Sequence, residues 1–481
     1  MNILHASSEL RAIGLMLLLS QLNTLAISAD YFVATNGSDS ASGARTSPWH
    51  TIAKAAQTAK PGDVINVLPG NYPEQVTVPT SGEPQRPISF VSVDARKARA
   101  QGFLLNGDYI RIQGFEITNN GKGDQGFGIW AGHFHEKNER QGCEILDNYI
   151  HDIDAVAMGT GTTAEVKWPG HWELDTIYSV GIGAGSNAKI VGNKIQRVHT
   201  GMYVTSRSLV ENNEIDTLLV TRADGNIATG KYVYFMGEHI VFRANYFHGT
   251  PMENMSKQSV CFFGGWDYSP EGPPSSDILI ENNRCFNATH ASEPGGLRKG
   301  THHITYRNNL FVNTVFTGIM PKSYTDVVIV NNTLINCGAY PIWLIPQNLD
   351  GAIVKNNLIA YYKHVPSPGA PVAESGIRID GDAIIASGPE LVNLRKSMPI
   401  NVDLSNNLIW GTNNRNYSPT DMTADPKFVD PDHHDFRLKP GSPAIDSGSD
   451  LKDLLTEDLN GTKRPQGKGF DIGAYEFSSQ R

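Results

Sequence analysis

An asparagine recurs through this 481-residue chain in a fixed setting: an apolar residue, two variable residues, Asn, one variable residue, then an apolar residue. It stands as Ile145-Leu146-Asp147-Asn148-Tyr149-Ile150 and Ile190-Val191-Gly192-Asn193-Lys194-Ile195. It returns around Asn213, Asn245, Asn283, Asn309, Asn332, Asn357 and Asn407, several times as an Asn-Asn doublet. The shorter spacings run from 20 to 26 residues. Each unit holds two or three strand-like segments of period-2 alternation separated by Gly, Asn, Asp or Ser, and no window shows helical periodicity. Such a unit is one coil of a parallel β-solenoid. Asn accepts the left-handed backbone of a sharp corner, and stacked Asn side chains can bond along a ladder. A β-propeller is the competing fold, but its blades need four strands in about 40 evenly repeated residues. The longer gaps mark inserts at the coil corners; those at 118–142 and 155–178 carry Trp130, His133, His135, Trp168, His171 and Trp172.

Composition narrows the function. Forty Lys+Arg against 49 Asp+Glu give a net charge of -9, and charged residues are 19% of the chain, with 47 Gly and 27 Pro. This excludes a coiled coil, a basic nucleic-acid binder and a disordered acidic tail. Residues 1–28 read as a signal peptide: Arg11, an apolar stretch from Ile13 to about Ile27, and Ala26 and Ser28 at cleavage-site spacing. No later segment reaches the roughly 18 apolar residues of a membrane span. The expectation is an exported, soluble monomer without membrane insertion. Cys143, Cys261, Cys285 and Cys337 contain no CxxC, and their pairing stays open among three connectivities or none.

The two ends carry a resemblance. Tyr31-Phe32-Val33-Ala34-Thr35-Asn36-Gly37-Ser38-Asp39, continuing through Pro48-Trp49-His50-Thr51-Ile52 to Pro61-Gly62-Asp63 and Leu68-Pro69-Gly70-Asn71-Tyr72, resembles the opening of secreted right-handed parallel β-helix proteins of the pectate-lyase-like group. Asp425-Pro426-Lys427-Phe428, Lys439-Pro440-Gly441-Ser442-Pro443 and Phe470-Asp471-Ile472-Gly473-Ala474-Tyr475 resemble its closing segment. The fold expected is all-β: a right-handed parallel β-helix with a short N-terminal capping helix and long inserted loops. Residues 30–72 are assigned to the first strand and cap, 73–411 to the coils and 412–481 to the closing segment.

Stacked coils align outward side chains into stripes. Taking the apolar partners as inward, one stripe reads Trp130, Tyr203, Tyr234, Arg298, Trp343 and Arg378. Aromatic rings stack on sugar faces, and Arg pairs bidentately with carboxylates. The row suits a long anionic polysaccharide, with Trp130, Tyr203, Trp266, Asp267, Trp343 and Arg378 as the binding set. Gly296-Leu297-Arg298-Lys299-Gly300 is similar to the segment bearing the catalytic Arg of alginate-lyase and chondroitinase-B-type β-helix enzymes. That similarity implies β-elimination, with Arg298 neutralising or deprotonating; Lys257, Lys299 and Lys322 lie near enough in sequence to be its partner, and Tyr234 is the tyrosine candidate. The catalytic Lys of the preceding coil in those enzymes has no counterpart in Val260-Cys261-Phe262-Phe263-Gly264-Gly265-Trp266-Asp267. Elimination also needs the uronate carboxylate neutralised, by Arg or Ca²⁺, but no clustered Asp calcium site is readable.

Two other classes remain. A glycoside hydrolase needs paired carboxylates, for which Asp152, Asp224, Glu253 and Asp267 are candidates. A carbohydrate-binding or cell-surface solenoid needs no catalytic group. His302-His303 and His433-His434 are expected to be structural, because neighbours in a strand point to opposite faces.

Overall fold

The computed structural model describes residues 28–119, 126–132, 139–153, 179–219, 230–250, 259–264, 275–293, 301–321, 324–338, 340–344, 351–362, 377–379, 402–411 and 418–479. The 1–28 leader, apart from Ser28, lies outside them.

The repeated asparagines form one buried ladder. Each sends its side-chain amide to the carboxamide oxygen of the next: Asn193 to Asn213 at 3.0 Å, Asn245 to Asn283 at 2.9 Å and Asn357 to Asn407 at 3.0 Å. The same oxygen accepts the backbone N–H of the preceding rung, and the amide's second hydrogen goes to a strand carbonyl, as from Asn283 to Phe242 at 2.9 Å. Asp421 closes the row at Asn407, 3.2 Å away. The left-handed corner is not taken by the ladder residue itself, as the sequence reading had it. It falls on the residue before: Asp147, Gly192, Asn212, Ala244, Asn282, Asn308, Asn331, Asn356 and Asn406 all have positive φ. The doublet is therefore a division of labour, the first Asn making the turn and the second the ladder.

Thirteen strands, from Asp30–Val33 to Asp403–Ser405, stack in parallel into one sheet. The remaining coil strands form a 19-stranded sheet with two faces, joined where long strands such as Arg284–Glu293 and Leu310–Ile319 run through the corner between them. Inward positions repeat from coil to coil. Ile195, Ile215, Phe247, Cys285 and Phe311 are register partners in succession, all fully buried. A second column runs through Ile190, Val210, Phe242, Ile280 and Tyr306. The interior is thus a set of stacked apolar rows, which is why the chain needs no second layer.

A helix covers the N-terminal end and the C-terminal segment covers one flank. Helix Ile52–Thr58 buries Ile52, Ala55 and Ala56. Thr51 caps it by accepting from Lys54, and the Glu74 carboxylate accepts the N–H groups of Ile52 and Ala53 at 3.1 and 2.9 Å. Both devices satisfy helix-terminal donors. The C-terminal segment lies along the flank of the late coils. There the outward residues Leu310, Leu358 and Leu408 are apolar, and Phe428, Phe436, Leu438, Ile472 and Ala474 cover them. Buried Arg464 ties this segment down, donating to Glu476 at 3.0 Å and to the Gly473 carbonyl at 2.8 Å. Cys261 and Cys285 form a disulfide across adjacent coils, while Cys143 and Cys337 are free, buried thiols. Burial pushes both thiols up to about 12. Among the described residues no helix is long and apolar enough to cross a membrane.

Candidate active site

One face of the 19-stranded sheet departs from simple alternation. Its strands place two consecutive residues inward and turn the flanking residues, three apart, outward. In Lys231-Tyr232-Val233-Tyr234 the middle pair is in the core, and the Lys231 ammonium lies 5.2 Å from the Tyr234 ring centre. Glycine often takes the first inward place, as at Gly128, Gly181, Gly201 and Gly318. A Cβ on Gly181 would sit 2.7 Å from the Gly201 carbonyl oxygen and 2.8 Å from Ile195.

The outward residues make two parallel columns. One runs through Trp130, Gly183, Tyr203, Tyr234, Phe263 and Glu293. The buried residues one position earlier, Ser292, Ile319 and Ile342, are register partners in succession, which puts Trp343 in line with Glu293, and the pairing partner of Trp343 is Arg378. The other runs Thr200, Lys231, Val260, His290, Thr317 and Tyr340. Four residues of the predicted stripe, Trp130, Tyr203, Tyr234 and Trp343, therefore share one column, and the backbone of Arg378 is in register with Trp343. Trp130 is 2% exposed, packed on Phe127 and Val180, and floors the column instead of opening to solvent. Tyr203, Tyr234 and Trp343 are half-buried. The register position after Phe263 belongs to Glu293, where the sequence reading placed Arg298. Arg298, Lys299, Lys322, Trp266 and Asp267 lie outside the described residues, as do Asp224 and Glu253.

The group the sequence reading missed is Lys231. Its ammonium also lies 4.8 Å from the Phe263 ring centre. Burial against these rings pulls its pKa down to about 8, against the opposing pull of the Glu293 charge. A lysine in that state exchanges a proton near neutral pH. Two coils further along the same column, His290 meets Thr317 Oγ1 through Nδ1 at 2.8 Å and Glu293 through Nε2 at 3.5 Å. Phe316, 56% exposed, stacks on the His290 ring. Lysine, imidazole, carboxylate and open aromatic thus fall within four successive coils, the Val260–Gly264 strand standing between Lys231 and the His290–Glu293 coil. The out-in-in-out pattern with its recurrent glycine was the available signal for them.

Of the hydrolase candidates, Asp152 is on another face. Hydrogen bonds from Arg197 hold its carboxyl down near 2, with His151 2.7 Å away, the reverse of the raised value a general acid needs. Among the described residues two clusters could hold a metal: Glu214, Asp216 and His248, and Asp277, His302 and His303. In the second, the histidine pair departs from the alternation that would put its members on opposite faces. His303 has φ 53°, which breaks alternation and brings its ring to 4.7 Å from that of His302. His433 meets Asp430 at 2.8 Å beside a short 3₁₀ turn.

A parallel coil with an interior Asn ladder, a helical cap and an outward aromatic column defines a β-helix protein. The chain belongs to the right-handed parallel β-helix proteins. Residues 31–162 match the family model described as "Pel9A-like, right handed beta helix region", and residues 178–361 match that of the "Right handed beta helix region". Among solved structures, pectate lyase Pel9A is 14% identical, with 94% of this chain and 97% of that one covered and a TM-score of 0.47. XylC in complex with xylose is 11% identical, covering 93% and 98%, with a TM-score of 0.51. A mannuronic acid specific polysaccharide family 6 lyase from human gut microbiota is 14% identical, covering 82% and 78%, at 0.40. At these identities the likeness is one of fold. No curated protein matches the chain.

Proposed function

We propose that this β-helix is an exported enzyme that cleaves a uronate-containing polysaccharide by β-elimination, with Lys231 as the base. The observation that carries the reading is the placement of Lys231. A lysine with a pKa near 8 lies on the outward face against the rings of Tyr234 and Phe263, with the His290–Glu293 pair two coils further on. Its neutral amine takes the proton beside the uronate carboxylate. The electron pair left behind forms the ring double bond as the bond to the 4-linked oxygen breaks, and that oxygen leaves with a proton from an acid such as the Tyr234 hydroxyl. Arg298, by the family resemblance, or a Ca²⁺ ion neutralises the carboxylate. Tyr203, Phe316 and Trp343 supply stacking surface for neighbouring sugars. The Cys261–Cys285 disulfide supports export, since such bonds persist in oxidising compartments.

The test is a panel of alginate, pectate, glycosaminoglycans and ulvan-type polymers, with and without Ca²⁺, read by ultraviolet absorbance of the unsaturated product and by reducing ends. Both signals rising on one polymer is the expected result. Reducing ends without absorbance would mean a hydrolase, and binding with neither signal a non-catalytic solenoid; either overturns the proposal.

A further inference from the structure

We propose that the corner ladder at Asp277, His302 and His303 is a binding site for a divalent transition metal of the zinc, copper or cobalt class. Four successive coils of the 13-stranded sheet share a one-residue bulge just after their register partners Glu238, Ser276, His302 and Thr325. The bulged residues are His239, Asp277, His303 and Asp326, with φ of 55°, 53°, 53° and 53°. Each is followed by an interior residue, Ile240, Ile278, Ile304 or Val327, so each points to solvent. Stacking the coils therefore stacks imidazole on carboxylate, alternately, along the edge of the molecule.

The spacings suit a metal ion. Asp277 meets His303 Nδ1 at 3.1 Å and His239 Nδ1 at 3.5 Å, and Asp326 meets His303 Nε2 at 3.6 Å. Donors about 2.1 Å from a tetrahedral ion stand about 3.4 Å apart, the same range. The donor atoms of Asp277, His302 and His303 all lie within 4.8 Å of one another. An ion at their centre would be at most about 2.8 Å from each, so ligation at about 2.1 Å needs shifts under about 1 Å from half-exposed and exposed side chains. Two imidazoles and one carboxylate favour a borderline ion over Ca²⁺, which takes oxygen ligands. The Glu214–Asp216–His248 cluster is the weaker candidate, because Lys194 already holds Glu214 at 3.0 Å and Gln196 donates to Asp216 at 2.5 Å. The corner lies on the 13-stranded sheet, whereas Lys231 is on the other, so a metal there would staple adjacent coils and take no part in the elimination.

The variants follow from the backbone. His303→Asn and Asp277→Asn remove ligands while placing at the bulge a residue that accepts the left-handed conformation, so the coil stays intact. The chelator-treated full chain would be titrated with Cu²⁺ and Co²⁺, read by nitrogen hyperfine structure and by d–d absorption. The expected result is one equivalent bound with imidazole nitrogen coupling. Affinity should fall more than about tenfold in either variant, and be unchanged in His433→Ala, which removes a distant exposed imidazole. Equal binding by wild type and His303→Asn, or no imidazole coupling, would overturn the site.

Discussion

Replacing Asn283 with Leu should cut the molecule at its middle rung. Asn283 is fully buried. Its amide donates to the Phe242 carbonyl at 2.9 Å and to Asn309 at 3.1 Å, and its oxygen accepts from the backbone and side chain of Asn245, both at 2.9 Å. Leu would strand the Phe242 carbonyl, the Asn245 N–H and one Asn245 amide hydrogen away from water. Asn309 keeps the Asn283 backbone donor at 3.0 Å, and the other Asn245 amide hydrogen keeps the Val210 carbonyl at 2.9 Å. Three stranded groups at about 1–3 kcal/mol each give a loss of about 3–6 kcal/mol, after the apolar gain of Leu is set against them. Urea unfolding followed by circular dichroism measures it. The informative control is Asn282→Gly, one residue earlier, which keeps the left-handed turn and should change stability by less than about 1 kcal/mol. A loss below about 1 kcal/mol for Asn283→Leu, or equal losses at the two positions, would refute the assignment of turn and ladder to different members of the doublet.

Other perturbations separate what is buried from what is exposed. Arg464→Met strands the Glu476 carboxylate beneath the closing segment and should cost about 3–5 kcal/mol in denaturant unfolding, with Arg464→Met/Glu476→Gln recovering part of it. Asp152→Asn breaks a pair more than a third exposed and should cost under about 1 kcal/mol. Because the folded carboxyl of Asp152 sits below its ordinary value, that small contribution is present above pH about 4 and disappears as pH falls towards 2. Loss of the Cys261–Cys285 bond, which spans 24 residues, should cost about 3 kcal/mol, measurable as a shift of the urea midpoint on adding reductant. If the face is a sugar-binding groove, Phe316→Ala should raise KM about tenfold and leave kcat nearly unchanged, since it removes an exposed stacking surface and no reacting group.

Much of the fold was legible because a solenoid writes its coil length directly into the sequence, and the buried Asn must recur for the ladder to close. The outward placing of Tyr203, Tyr234 and Trp343 could be read for the same reason: each follows the apolar residue that fixes its face. Lys231 was not legible by period-2 reasoning. The strand turns a corner there, so Tyr232 and Val233 both go inward and Lys231 emerges beside a residue three positions on. His290 and Glu293 are hidden by the same step around Ala291 and Ser292, both buried. The histidine pair at 302–303 escaped for a related reason, since one left-handed residue cancels the alternation on which its two faces were assigned. In each case a local backbone irregularity overrode a sound average rule.

The central claim is that Lys231 acts as the base, and its most direct test is the pH dependence of elimination on whichever polymer responds. The account predicts a rate that climbs as pH rises through about 8, as the amine loses its proton, and that vanishes in Lys231→Met while the variant still binds the polymer. Elimination that persists in Lys231→Met with an unchanged profile would contradict it.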